Sequence, residues 1–465
     1  MPVDESVSED LKQRLSMSRW PSSPQIGAPG EYGVDWGLAK TLAAYWRDGF
    51  DWSSQAAALE SVMPQFTVEI EGLTVHFAHA KATDRKKGAI LALHGWPDAF
   101  TSCRKIVPLL TSYGYDVVCP SLIGYGFSSP AKEPGMGAAK MASIFVTLMK
   151  DVLKYNKYLV HGGDWGALIS VYVAVSDPQS CVGLHSTNCI SKPPLNPFAQ
   201  FPHGIVRTSR FLYEEGSKIV KNVINSMTTG SNETDTSAAP EGKDESEESV
   251  RERSSAMWKE TGYLHEQATK PHTLGVALND SPAGLLAWIV EKWTTWSDVP
   301  VKSSGERDLL ALYSKDEILA LVHLYWITGS ITSSIQLYKE EFFEGLQTSL
   351  PYVETPTACA VFPRELMKPP KYWVEGAYNL KRFNTFDKGG HFAMMEQPEA
   401  LAKDIDAFYT TLLEEAEQKA RDEAAKKEQQ AQQAADKKAQ TPGEGGGGKK
   451  KTEAEKPSGG ERTDL

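Results

Sequence analysis

The sequence predicts an α/β fold built on a mostly parallel β-sheet, with a helical insertion and an amino-terminal arm. Three observations carry that expectation. The short apolar runs "AILALHG", "YDVVCPS" and "KYLVHGG" are separated by spacers long enough for crossover helices, one of them "MASIFVTLMKDVLKY". Strands that alternate with helices imply parallel pairing, because a crossover is what returns the chain to run in the same direction. The third run passes through a glycine-flanked turn, Gly162-Gly163-Asp164-Trp165-Gly166, into a stretch with apolar residues at Leu168, Ile169, Val171 and Val173. After "CVGLHST" a long Trp- and Tyr-rich helical stretch intervenes before strand-like segments resume at "TACAVFP" and "KRFNTFD".

Taken in order, residues 1–60 read as an arm, rich in tryptophan and arginine, with helical spacing at Leu38, Leu42 and Trp46. Residues 61–195 form the first part of the core. There "FTVEIEGLTVHFAHAK" alternates apolar and polar side chains about Gly72, the pattern of a β-hairpin. Residues 196–344 read as a helical lid. Within it 228–253 is acidic and almost free of large apolar side chains, a composition that cannot offset ordering entropy and is expected to be disordered. Residues 345–418 complete the core and end in the helical pattern "EALAKDIDAFYTTLLEEAEQ". From Lys419 the chain turns to Ala, Gln, Lys, Glu and Gly, so 419–465 is expected to be a disordered, solvated tail that begins as no more than a frayed helix.

At 465 residues and 41% hydrophobic, the chain can bury a large core. A formal net charge of −11 argues against nucleic acid as a partner, because binding a phosphate backbone requires a basic surface that releases counterions. The first twenty residues carry four acids and no apolar run, and nowhere do eighteen apolar residues follow one another. No secretory signal and no transmembrane segment are therefore expected, and the reading is cytoplasmic. Cys103, Cys119, Cys181, Cys189 and Cys359 are scattered, odd in number and without metal-ligand spacing. They read as buried thiols of a reducing compartment, with no metal or other cofactor.

In open parallel sheets the chemistry collects at the carboxyl ends of the strands, and His94, Ser121 and Asp164 all follow such ends. The turn around Asp164 has the strand-turn-helix context of a nucleophile elbow, with an aspartate in place of the usual serine. Serine attacking a carbon electrophile would form an ether, whereas a carboxylate forms an ester that water can cleave. The acid thus points to a substrate attacked at carbon. Partners should follow in the order nucleophile, acid, histidine. "DKGGHFAMMEQPEAL" offers His391 as general base, and "ACAVFPRELMK" offers Glu365, 26 residues earlier, to orient it, with Asp387 as the competing acid. The backbone amides of Trp96 and Trp165 are the candidate oxyanion hole, each donor contributing about 3–4 kcal/mol in the transition state.

Together "HGWP", "GYGFS", "GGDWG", "FPRE" and "GGHFA", with the arm "RWP…YWRDGFDW…MPQF", resemble the microsomal-type epoxide hydrolases, including their soluble fungal members, over about residues 8–412. The resemblance implies an α/β-hydrolase fold, a small-molecule epoxide as substrate, a vicinal diol as product and a homodimer. It also implies that two lid tyrosines, Tyr263 in "TGYLHEQATKP" and Tyr338 in "IQLYKEEF", hold the epoxide oxygen. The chain departs from the family pattern at Ile123, where proline is usual, and at Asp98, where glycine is frequent. Two other readings compete. Haloalkane dehalogenases share an aspartate followed by tryptophan, and a non-catalytic binding protein could keep the fold. The tyrosine motifs weigh against the first and the complete Asp164, Glu365, His391 set against the second.

Overall fold

The computed structural model describes residues 5–27, 30–84, 87–191, 260–342 and 350–440. The acidic stretch 228–253 and the beginning of the lid lie outside them. The arm comprises helices Glu5–Ser16, Trp36–Asp48 and Trp52–Val62. Asp35 starts the second of these by accepting the Leu38 amide at 2.6 Å, and Asp51 caps the third through Ser53 and Ser54. Strands β1 (Gln65–Ile70) and β2 (Leu73–Ala80) form the hairpin about Gly72, followed by β3 (Gly88–Leu93), β4 (Tyr115–Pro120), β5 (Tyr158–Gly162), β6 (Cys181–Ser186), β7 (Val353–Val361) and β8 (Tyr378–Thr385).

These eight strands make one sheet in the order β1-β2-β4-β3-β5-β6-β7-β8. β2 runs antiparallel to β1 and β4, and every later pairing is parallel. β4 and β5 are buried along their whole length, as expected of strands covered by helices on both faces. Helices Ala138–Thr147 and Trp165–Ser176 supply part of that cover. The parallel α/β core is thus the one the apolar runs predicted.

The described lid consists of helices Gly262–Thr269, Pro271–Asp280, Pro282–Trp296, Lys315–Thr328 and Ile331–Phe342. Prolines open two of them and a reciprocal Ser314/Glu317 capping box opens a third. Hydrogen bonds, two of them buried, pin the lid to the loops after β3 and β4. Trp293 Nε1 donates to the Pro97 carbonyl at 3.1 Å, Tyr325 Oη to the Asp98 carbonyl at 2.8 Å and Ser333 Oγ to the Gly124 carbonyl at 2.6 Å. The arm holds the lid from the other side, where Trp46 Nε1 donates to His323 Nδ1 at 3.0 Å and Tyr45 Oη to Asp316 at 2.9 Å.

Two expectations are corrected. Cys103 pairs with Cys119 and Cys189 with Cys359, leaving Cys181 as the one free thiol, so the five cysteines are not all buried thiols. The partners come together only through tertiary structure: 170 residues separate Cys189 from Cys359, which meet because β6 and β7 are neighbours. The terminal helix also runs much further than read, from Pro398 to Gln440, so the region from Lys419 starts as helix rather than as disordered tail. Its repeated Ala, Glu, Lys and Gln are strong helix formers, and low apolar content alone does not forbid a solvated helix. The chain divides into a body reaching Leu412 and a distal segment from Leu413, and every side chain described in the latter, through Gln433, is exposed.

Candidate active site

Asp164 stands between β5 and helix Trp165–Ser176 with φ 51° and ψ −128°, one of three described non-glycine residues at positive φ. Holding a β-carbon there costs roughly 1–3 kcal/mol, which the surrounding packing must enforce. The glycines allow it. A β-carbon on Gly166 would collide with the Leu93 carbonyl and one on Gly95 with the Asp164 side chain itself, so the loop after β3 closes directly over the carboxylate.

That closure brings the Trp96 amide to Asp164 Oδ1 at 2.8 Å. The other carboxylate oxygen lies 3.4 Å from His391 Nε2. His391 Nδ1 is 2.8 Å from Glu365 Oε1, which also accepts the Leu366 amide at 2.7 Å. Glu365 and His391 come from the loops after β7 and β8, which are tied together where the Arg364 amide donates to the Gly389 carbonyl at 3.1 Å. Asp387, the competing acid, is exposed and the imidazole bonds to Glu365 instead.

Burial opposes a positive charge on His391, but Glu365 and Asp164 together outweigh it and hold its pKa well above the ordinary imidazole value. Its backbone amide donates to the Trp296 carbonyl at 3.0 Å, and the Trp296 ring meets the imidazole edge-on at 5.3 Å between centroids. Glu396 holds the same loop from below, accepting the amides of Phe392 at 2.9 Å and Asp298 at 2.8 Å. Burial pushes its carboxyl up to about 7. Neither Trp296 nor Glu396 stood out in the sequence, since Trp296 reads as one apolar residue of a lid helix and Glu396 as an ordinary acid in "AMMEQ".

Both lid tyrosines reach this centre. Tyr263 stacks on Trp96 at 5.5 Å, and Tyr338 meets Trp165 edge-on at 4.8 Å and Tyr263 at 5.9 Å. Burial and then the charge of Asp164 raise the Tyr263 phenol, while burial, Tyr263 and Asp164 raise that of Tyr338 well above its usual value. Both hydroxyls are therefore protonated donors at neutral pH. The indole nitrogen of Trp96 is buried without a partner, and a buried donor left unsatisfied costs about 1–3 kcal/mol. The Trp165 amide opens its helix and so has no intrahelical acceptor; of the two oxyanion candidates, Trp96 is the one bonded to Asp164.

Asp98 is buried, accepting the Ala99 amide at 2.8 Å and the Ser102 hydroxyl, and burial pushes its carboxyl up to about 7 against those two bonds. Ile123 is buried in the core. A cavity of about 20 Å³ lies against Asp164, His391, Gly95 and His161, room for a single water molecule. A strained carboxylate carrying an amide on one oxygen and a carboxylate-oriented imidazole near the other can attack carbon and then have its own ester hydrolysed.

Residues 1–103 match the family model described as epoxide hydrolase N terminus, and residues 88–213 that of the alpha/beta hydrolase fold. Epoxide hydrolase 1 of Sus scrofa is 35% identical over 422 residues, covering 87% of this chain and 86% of its own length. Juvenile hormone epoxide hydrolase 1 of Ctenocephalides felis is also 35% identical, covering 87% and 83%. Among solved structures, the juvenile hormone epoxide hydrolase of the silkworm Bombyx mori superposes with a TM-score of 0.72 at 30% identity over 89% of this chain and 94% of that one. The Aspergillus niger epoxide hydrolase gives 0.68 at 29% over 89% and 95%. With likeness of that extent in both sequence and structure, the chain belongs to the epoxide hydrolases of α/β-hydrolase fold.

Proposed function

We propose that this epoxide hydrolase opens its substrate through a covalent ester on Asp164, with Tyr263 and Tyr338 as acid and with His391 and Glu365 as the base that activates water. One observation carries the reading: a single carboxylate at a strained turn contacts both an amide donor and the imidazole of a carboxylate-histidine pair. Asp164 attacks an oxirane carbon, the carbon–oxygen bond breaks, and a tyrosine protonates the departing alkoxide. Ester formation removes the negative charge of Asp164, one of the groups holding the proton on His391. With that charge gone the imidazolium holds its proton less tightly, passes it to the tyrosinate left by ring opening, and stands neutral when water is to be deprotonated.

Water deprotonated by His391 attacks the ester carbonyl, and the Trp96 and Trp165 amides hold the oxyanion. Collapse releases the diol and restores the carboxylate. Of the two protons of the water, one ends on the hydroxyl released from the ester and the other restores to His391 the proton it gave to the tyrosine pair. Glu365 stabilises the imidazolium and fixes its orientation.

His391→Gln tests the scheme directly. With styrene oxide it should form an adduct on the Asp164 peptide, equal in mass to the epoxide, that persists because water is no longer activated. An unmodified peptide in an otherwise folded variant would contradict the scheme.

Among the described residues no single helix is long and apolar enough to cross a membrane. A cytoplasmic site and a homodimer remain our reading from composition and family. The cysteine pairs do not support the reducing compartment on which the former partly rested.

A further inference from the structure

Three buried polar side chains run from the cavity beside Asp164 through the sheet to the terminal helix. His161 on β5 and His185 on β6 are register partners, and their Nδ1 atoms are 3.0 Å apart. His185 Nε2 lies 3.1 Å from Asp404 Oδ2, while Asp404 Oδ1 accepts from Arg382 Nε and Asn384 Nδ2, both at 2.7 Å. His161 and His185 are at most 1% exposed and Asp404 2%, and the epoxide-opening scheme uses none of the three.

The charged end sets the direction of the chain. After its hydrogen bonds to His185, Arg382 and Asn384 have overcome burial, Asp404 is held well below the usual carboxylate range, so it is an acceptor. In the neutral tautomer of His185 that donates to Asp404 through Nε2, Nδ1 is a lone pair. A 3.0 Å contact between two ring nitrogens needs one proton between them, so His161 supplies it from Nδ1. Burial and then His185 hold His161 well below the ordinary imidazole value, hence neutral, and its Nε2 is left as a bare acceptor. His161 lines the same cavity of about 20 Å³ as Asp164 and His391.

We infer that His161, oriented by His185 and Asp404, is a positioning residue for the hydrolytic water, accepting one of its hydrogens on Nε2 while His391 takes the other. A water at attack distance has two hydrogens and one useful lone-pair direction. With only His391 to hold it, the molecule can rotate about that bond and turn the lone pair away from the ester carbon. A second acceptor removes that freedom. The inference rests on the two-step reading above and makes His161 matter for the second step alone.

The test is single-turnover rapid quench with enzyme in excess of styrene oxide, following the Asp164 ester by mass spectrometry. His161→Leu should form the ester at the parental rate and lose it roughly ten- to a hundredfold more slowly. His161→Gln, whose amide oxygen can accept the same hydrogen, should recover most of the loss. Ester decay at the parental rate in His161→Leu, or equal slowing of both steps, would overturn the inference. Should His161→Leu not fold, ¹⁵N shifts of the histidines in the unaltered protein decide it. His161, assigned by signal loss in His161→Gln, is expected to be protonated on Nδ1 and bare on Nε2, and a protonated Nε2 would overturn the assignment. Absence of any ester in the unaltered protein would instead remove the two-step reading, leaving the tautomer to judge the relay.

Discussion

Asp164, the proposed nucleophile, shows how much the placement of a side chain owes to its backbone. Its positive φ turns the carboxylate out of the elbow towards the Trp96 amide on one side and His391 on the other. In the proposed scheme the tyrosines act only on the opening ring, so Tyr263→Phe and Tyr338→Phe should each slow ester formation, by about a hundredfold if the lost bond is worth what one oxyanion donor is. Ester decay and melting temperature should stay close to parental values. Full alkylation rate in both variants and in the double would show that these hydroxyls do not touch the epoxide oxygen. Asp98 gives a prediction of a different kind. Burial raises its carboxyl from 3.8 to about 7, so the folded state binds a proton the unfolded chain has lost, and this group's contribution to stability falls as pH climbs from about 4 to 7. Asp98→Asn keeps the acceptor for Ala99 and Ser102 but does not titrate. Its melting temperature relative to the parent should therefore rise between pH 5 and pH 8, and a difference constant with pH would show that the Asp98 carboxyl is not shifted.

At the scale of elements, residues were legible where local chemistry is distinctive. Asp164 and His391 sit in glycine turns after strands and Glu365 just beyond one, and each could be placed from its neighbours. His161, His185 and Asp404 could not, because their meeting depends on the register of β5 with β6 and on a helix more than 200 residues away. Glu396 and the cysteine pairs were hidden for the same reason. The terminal helix failed differently, since composition reported its lack of a core-facing side but not its helical propensity. Every described side chain from Leu413 to Gln433 is exposed. A chain ending at Gln418 should keep its melting temperature within about 1–2 °C and its full turnover, because surface changes away from packed features are typically within about 0.5 kcal/mol. A drop of 5 °C or more would show that the distal helix packs on something.

Across the whole molecule the arm, the sheet and the lid divide one task. The sheet presents Asp164, Glu365 and His391 beyond the ends of β5, β7 and β8, the lid sets Tyr263 and Tyr338 against Trp96 and Trp165, and the arm fixes the lid through Trp46 and Tyr45. Parallel sheet, inserted lid and arm were all readable from the alternation of patterns along the chain. The pinning of lid to core through Trp293, Tyr325 and Ser333 was not, because single polar atoms on apolar helices carry no periodic signal. In the proposed scheme the Asp164 carboxylate gives an oxygen to its product. With enzyme in excess over styrene oxide in ¹⁸O-water, the diol of the first turnover should carry mostly ¹⁶O, and the heavy isotope should appear in the Asp164 peptide. A first-turnover diol fully labelled by solvent, with an unlabelled Asp164 peptide, would mean that water attacks the epoxide directly and would contradict the covalent route.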